Sequence, residues 1–131
     1  MMLPITAFYA APLALAFVAL ATRVIRARRL YHQPLGTSHR LVERAARAHG
    51  NFAEAVPLAL LLLALCEANG LPAWALHVLG VTLLAGRGFH ALGIGREPEV
   101  FRWRVLGTSL TLTMMGVGGA ATMGLALAGL L

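Results

Sequence analysis

Four long apolar stretches organise this chain: residues 3–22, 48–68, 71–92 and 104 onward. At about 1.5 Å of rise per residue, each is long enough to cross about 30 Å of hydrocarbon as a helix. The spacing predicts four spans, and the polar residues collect in the links between them. Asn69-Gly70 is a turn signal, and Pro72 suits the first turn of the next helix, so spans two and three form a tight helical hairpin. Pro57 lies inside span two, where it frees the carbonyl of Ala53 and predicts a kink. In span four, Gly116, Ala120, Gly124 and Ala128 recur every fourth residue, a spacing that suits close packing within the chain or between subunits.

One segment breaks the apolar pattern. Arg40, Arg44, Arg47, Asn51 and Glu54 stand three or four residues apart, so on a helix they form one stripe that runs into span two. Arg40 and Arg44 suit interfacial anchoring as well as ligand binding. Glu54 lies about two turns inside the expected span start and needs an arginine, an ammonium, water or a proton of its own. Two readings follow: a buried Arg–Glu clamp between helices, or a polar pocket for a small zwitterion. Span three adds Arg87 and His90, which share a face. Arg87 is the expected internal partner of Glu54. His90 can donate to a ligand carboxylate, act as a base, or serve only as a satisfied structural histidine. His49 is expected to face a neighbouring helix, and His77 to pack at the far side of span three. Arg102 and Arg104 flank Trp103 on different faces at the start of span four, and Gly107 permits a close approach.

Composition narrows the class. The chain has 131 residues, 59% of them hydrophobic and 12% charged, with a mean hydropathy of +0.76. A soluble domain carries about a quarter charged residues, so this is an integral membrane protein. All eleven basic residues are arginines. The net charge of +6 does not point to nucleic acid, because the arginines sit beside spans, where topology explains them. The links between spans one and two and between spans three and four are both arginine-rich, whereas Glu67-Ala68-Asn69-Gly70 has no basic residue. The positive-inside rule places both arginine-rich links in the cytoplasm and both termini outside. The two polar regions can then build one site. No basic residue precedes the first apolar run, so it reads as a span and not a leader. Cys66 stands alone in an apolar run and is expected to pack, and neither it nor the histidines has metal-ligand spacing.

Taken together, Glu43-Arg44-x-x-Arg47-Ala48-His49-x-Asn51-x-x-Glu54-x-x-Pro57 and Gly86-Arg87-x-x-His90 resemble the MAPEG family, the membrane-associated proteins in eicosanoid and glutathione metabolism. The resemblance covers nearly the whole chain and is nearest to the family's bacterial inner-membrane branch. It implies an all-α four-helix membrane bundle, a single domain assembled as a homotrimer, with glutathione between neighbouring subunits on the cytoplasmic side. By position it implies glutathione contacts at Arg26, Arg47, Asn51, Glu54 and His90. It also implies a thiol-activating arginine at the start of span four, either Arg102 or Arg104. Such an arginine stabilises the thiolate for attack on a lipophilic electrophile that arrives through membrane lipid. Gly50, Ile94 and Leu106 depart from ligand contacts of some eukaryotic members, and Tyr9 and Tyr31 lie outside the motifs, so tyrosine-based thiol activation is not implied.

Two other classes compete with this enzyme. One is a non-catalytic member of the same family that keeps the fold. The other is a proton-coupled small multidrug transporter, which four spans and a membrane glutamate also suit. Against the transporter, the acid is on span two near one face, and the arginine stripe would repel cationic drugs.

Overall fold

Pro4 opens the first helix at a position where a missing N–H costs nothing, because first-turn donors have no intrahelical acceptor. In the computed structural model, which describes residues 2–130, the next two donors are met from another helix. The backbone N–H groups of Ile5 and Thr6 donate to the Glu67 carboxylate at 2.9 and 2.7 Å. The helices are α1 (Pro4–Leu30), α2 (Arg40–Ala68), α3 (Ala73–Gly95) and α4 (Phe101–Leu130). All four are long and apolar enough to cross a membrane, and no strand occurs among the described residues. This is the expected all-α four-helix membrane bundle.

The helices outrun the apolar stretches. α1 continues past residue 22 to carry Arg23, Arg26, Arg28 and Arg29, and α2 starts at Arg40. His39 caps α2 by accepting from the Leu41 N–H through Nδ1 at 3.3 Å, and Glu43 adds a favourable negative charge to the first turn. α2 continues through Pro57 as one helix. The hairpin turn falls at Asn69-Gly70 as expected, with Gly70 at φ +82°, a left-handed conformation that glycine adopts without a steric cost.

α2 and α3 form the centre of the bundle, with α1 on one side and α4 on the other; among the described residues α1 and α4 do not touch. Every helix contributes a large fully buried side chain, among them Leu13, Leu63, Leu83 and Met114. In lipid the gain from joining them is close packing, since the acyl chains are as apolar as the core. The seam between α3 and α4 is the tightest. A Cβ on Gly107 would stand 2.4 Å from the backbone nitrogen of His90 and 2.5 Å from the carbonyl oxygen of Gly86. A Cβ on Gly93 would stand 2.5 Å from the backbone nitrogen of Arg104. On the α1 side, Gly80 lies under the Tyr9 ring, and the Tyr9 hydroxyl shares a hydrogen bond with His77 Nδ1 at 3.0 Å.

The small-residue stripe of α4 does not pack within the chain. Gly116, Ala120, Gly124 and Ala128 are exposed, and a Cβ on Gly116 or Gly124 would meet nothing. The inward row is instead Gly107, Thr111, Met114 and Gly118, all buried, which follows the other face of the same helix. Cys66 is fully buried, its thiol against the Gly118 carbonyl at 3.4 Å, the packing role expected of it. His49 faces α1, its ring 4.7 Å from that of Phe17.

Candidate functional site

The helical spacing of Arg40, Arg44, Arg47, Asn51 and Glu54 turns them to one side of α2, and all five line a single cavity of about 960 Å³. The other walls come from α3 (His90 and Ile94), the α3–α4 link (Glu99) and α4 (Arg104 and Thr108). Both arginine-rich links lie at this end of the bundle. Arg40 pairs with Glu97 across them at 3.3 Å, and Arg23 donates to the carbonyl of Gly95 at 2.6 Å. The opposite end holds the α2–α3 hairpin and the start of α1.

The cavity carries four arginines and three glutamates, and their states differ. Arg44, 12% exposed, donates through Nε to the Ile94 carbonyl at 3.1 Å and also to the Arg96 carbonyl, with Glu99 at 3.8 Å. With Arg23 it satisfies the carbonyls left open where α3 ends, at the negative end of the helix dipole. Arg104 pairs with Glu99 at 2.7 Å. Arg47 and Glu54 are exposed at the cavity and form no ion pair among the described residues.

Two expectations change here. Arg87 is not the partner of Glu54. It is 3% exposed and donates to the Asn51 side-chain oxygen at 2.8 Å and to the Asn51 backbone oxygen at 3.3 Å. Glu54 lies about one turn further along α2, and on that helix it is Asn51 that meets Arg87. Arg87 therefore stands behind the cavity wall and fixes the amide that faces the cavity. The buried Arg–Glu clamp within one chain is also absent among the described residues, because Glu54 is exposed and unpaired. His90, 5% exposed, lines the cavity beside the glycine seam.

The two span-four arginines separate. Arg104 lines the cavity, whereas Arg102 is exposed outside it. Arg26 also lies elsewhere, in a smaller crevice of about 260 Å³ with Arg23 and Tyr31 on the flank of α1. Sequence reasoning missed Glu99, along with Thr37 and Ala46, as residues that line the cavity. Glu99 lies in a link whose path the helical period does not dictate, and the signal that could have found it is its position between Arg96 and Arg104. Among the described residues no group of three or more histidines, cysteines or acids could hold a metal.

The fold and the site define a four-helix membrane bundle with a charged cavity at one end, lined by arginines, an amide and carboxylates. The sequence profile of the MAPEG family matches residues 6–127, and the chain belongs to that family. It is 36% identical over 108 residues to the inner membrane protein YecN of Escherichia coli strain K12, covering 82% of this chain and 81% of that protein. The same values hold for YecN of E. coli O6:H1.

Proposed function

We propose that this protein is a glutathione-dependent membrane enzyme that conjugates lipophilic electrophiles or reduces lipid hydroperoxides through an arginine-stabilised thiolate. One observation carries the reading: Arg47 and Glu54 face the cavity without ion-pair partners among the described residues, and Arg104 shares that cavity with them. Glutathione has two carboxylates, an ammonium and a thiol. Arg47 suits a carboxylate, Glu54 the ammonium, and the Asn51 amide and His90 further polar groups. Arg104 is the cavity arginine that can hold the thiolate, so it takes the activating role and Arg102 does not. In conjugation the thiolate sulfur forms a bond to the electrophilic carbon while the leaving group departs with its electron pair. In hydroperoxide reduction the sulfur attacks the terminal oxygen, the O–O bond breaks, and the alkoxide takes a proton. A second glutathione then reduces the sulfenic product, giving the disulfide and water.

The arginine-rich end of the bundle belongs in the cytoplasm by the positive-inside rule, and residence in the inner membrane fits the name of the YecN relatives. A homotrimer suits the exposed apolar faces of the subunit. It would also give Arg26 a place, on the flank of α1 where a neighbouring subunit's cavity could receive it.

Calorimetric titration of glutathione into detergent-purified protein tests the proposal. Wild type is expected to bind and Glu54→Ala to lose binding. Arg104→Gln is expected to bind but to lose the ultraviolet thiolate absorbance, while Arg102→Gln keeps it. Well-folded wild type that does not bind glutathione would overturn the assignment.

A further inference from the structure

The three cavity glutamates are not equivalent. Among the described residues Glu43 and Glu54 form no ion pair, while Glu99 lies 2.7 Å from Arg104 and 3.8 Å from Arg44. The arginine proposed to hold the thiolate is therefore already occupied by a carboxylate of the protein itself. We propose that Glu99 is a resident counter-ion that masks Arg104, so that an anionic ligand enters by displacing it.

The surroundings support an exchange rather than a fixed staple. Glu99 sits in the short non-helical link between α3 and α4, where reorienting a side chain breaks no helical hydrogen bond. Its side chain is 27% exposed, so water can reach it as it moves. Arg44 cannot follow, because the carbonyls of Ile94 and Arg96 hold it. A carboxylate displaced from Arg104 thus finds a second guanidinium close at hand and is never left unpaired beside lipid, where an unpaired charge is costly. Glu99 rocks from Arg104 toward Arg44, and Arg104 is released for the ligand. Masking neutralises the Arg104 side of the empty cavity, so an anion can hold Arg104 only by outcompeting the resident carboxylate.

This inference rests on the glutathione reading for the identity of the ligand, and the test separates the two. The first measurement is the rate at which phenylglyoxal modifies Arg104 in the detergent-purified full chain, followed by mass spectrometry of the Arg104 peptide. Glu99→Gln should react several-fold faster than wild type. Glu97→Gln, the same loss of charge on the same link but paired with Arg40, should react at the wild-type rate. The second measurement is glutathione affinity, expected to be about five-fold tighter in Glu99→Gln. That equals about 1 kcal/mol at a factor of ten per 1.4 kcal/mol, the size of a partly exposed ion pair.

Equal Arg104 reactivity in Glu99→Gln and wild type overturns the proposal. So does weaker glutathione binding in Glu99→Gln, which would make Glu99 a support of the site. An unmasked Arg104 with no glutathione binding by either protein upholds the mask and sinks the glutathione reading. If Glu99→Gln does not fold, Glu99→Asp gives the same comparison. Its shorter carboxylate should loosen the hold and raise the Arg104 rate above wild type, and an unchanged rate counts against the mask.

Discussion

Asn51 and Arg87 form one unit, and a double-mutant cycle measures it. Arg87 is 3% exposed, and its guanidinium donates to the Asn51 side chain at 2.8 Å and to the Asn51 backbone at 3.3 Å. Asn51→Leu removes the first bond and leaves the second, so a buried cation loses one of two acceptors. Hydrogen bonds to charged groups contribute about 1.5–3 kcal/mol, and that is the expected loss. Arg87→Met spares Asn51, which faces the cavity and can turn to water, so its cost is about 1 kcal/mol. The double variant replaces both polar partners by apolar groups of similar size. It should be more stable than the sum of the singles by about 1–2 kcal/mol, as expected for residues in direct contact. Unfolding by sodium dodecyl sulfate from mild micelles, read by the fluorescence of Trp74 and Trp103, gives all four corners of the cycle. Additivity within about 0.5 kcal/mol would refute the coupling. Arg87→Met should also weaken glutathione binding while leaving the Arg104-dependent thiolate absorbance of the saturated protein unchanged, because Arg87 acts by orienting Asn51.

Other predictions rest on separate contacts. Gly107→Ala should cost about 1–3 kcal/mol in the same unfolding assay, because the new methyl meets backbone atoms of α3 that cannot swing aside. Gly116→Ala should cost the isolated subunit nothing, since its Cβ enters open space, and an equal loss at both positions would sink the assignment of the seam. Glu67→Ala should raise amide hydrogen exchange at Ile5 and Thr6 well above that in α3, because their acceptor is gone. Unchanged protection there would show that the start of α1 is held by other means.

Features carried by local period were legible in the sequence. The four helices, the Asn69-Gly70 turn, the facing of the Arg40 to Glu54 stripe into one cavity and the buried thiol of Cys66 all follow from hydropathy, turn chemistry or helical phase. Features set by the phase between two helices were not legible. Whether Arg87 meets Asn51 or Glu54 turns on about one helical turn of register between α2 and α3, which neither helix encodes alone. The choice between Arg102 and Arg104 depends on how the α3–α4 link delivers α4 to the seam. Arg44, read as an anchor or a ligand contact, proved to cap the end of α3, a partner about fifty residues away in sequence that no periodicity reveals. The apolar stretches marked what lies in lipid, but charged residues extend α1 and α2 beyond it, so the helix ends differ from the ends of the spans.

The glycine seam between α3 and α4 also acts as a fixed ruler. Gly107 brings α4 against the backbone of His90, and Gly93 brings α3 against the backbone of Arg104. The distance between the histidine and arginine sides of the cavity is therefore set by main chain, before any side chain is chosen. α2 meets α4 with ordinary room, 3.6 Å from a Cβ on Gly118 to Leu62. An engineer seeking a new ligand preference has freedom along α2 and in the link around Glu99. The gauge between α3 and α4 will not widen without taking the bundle apart.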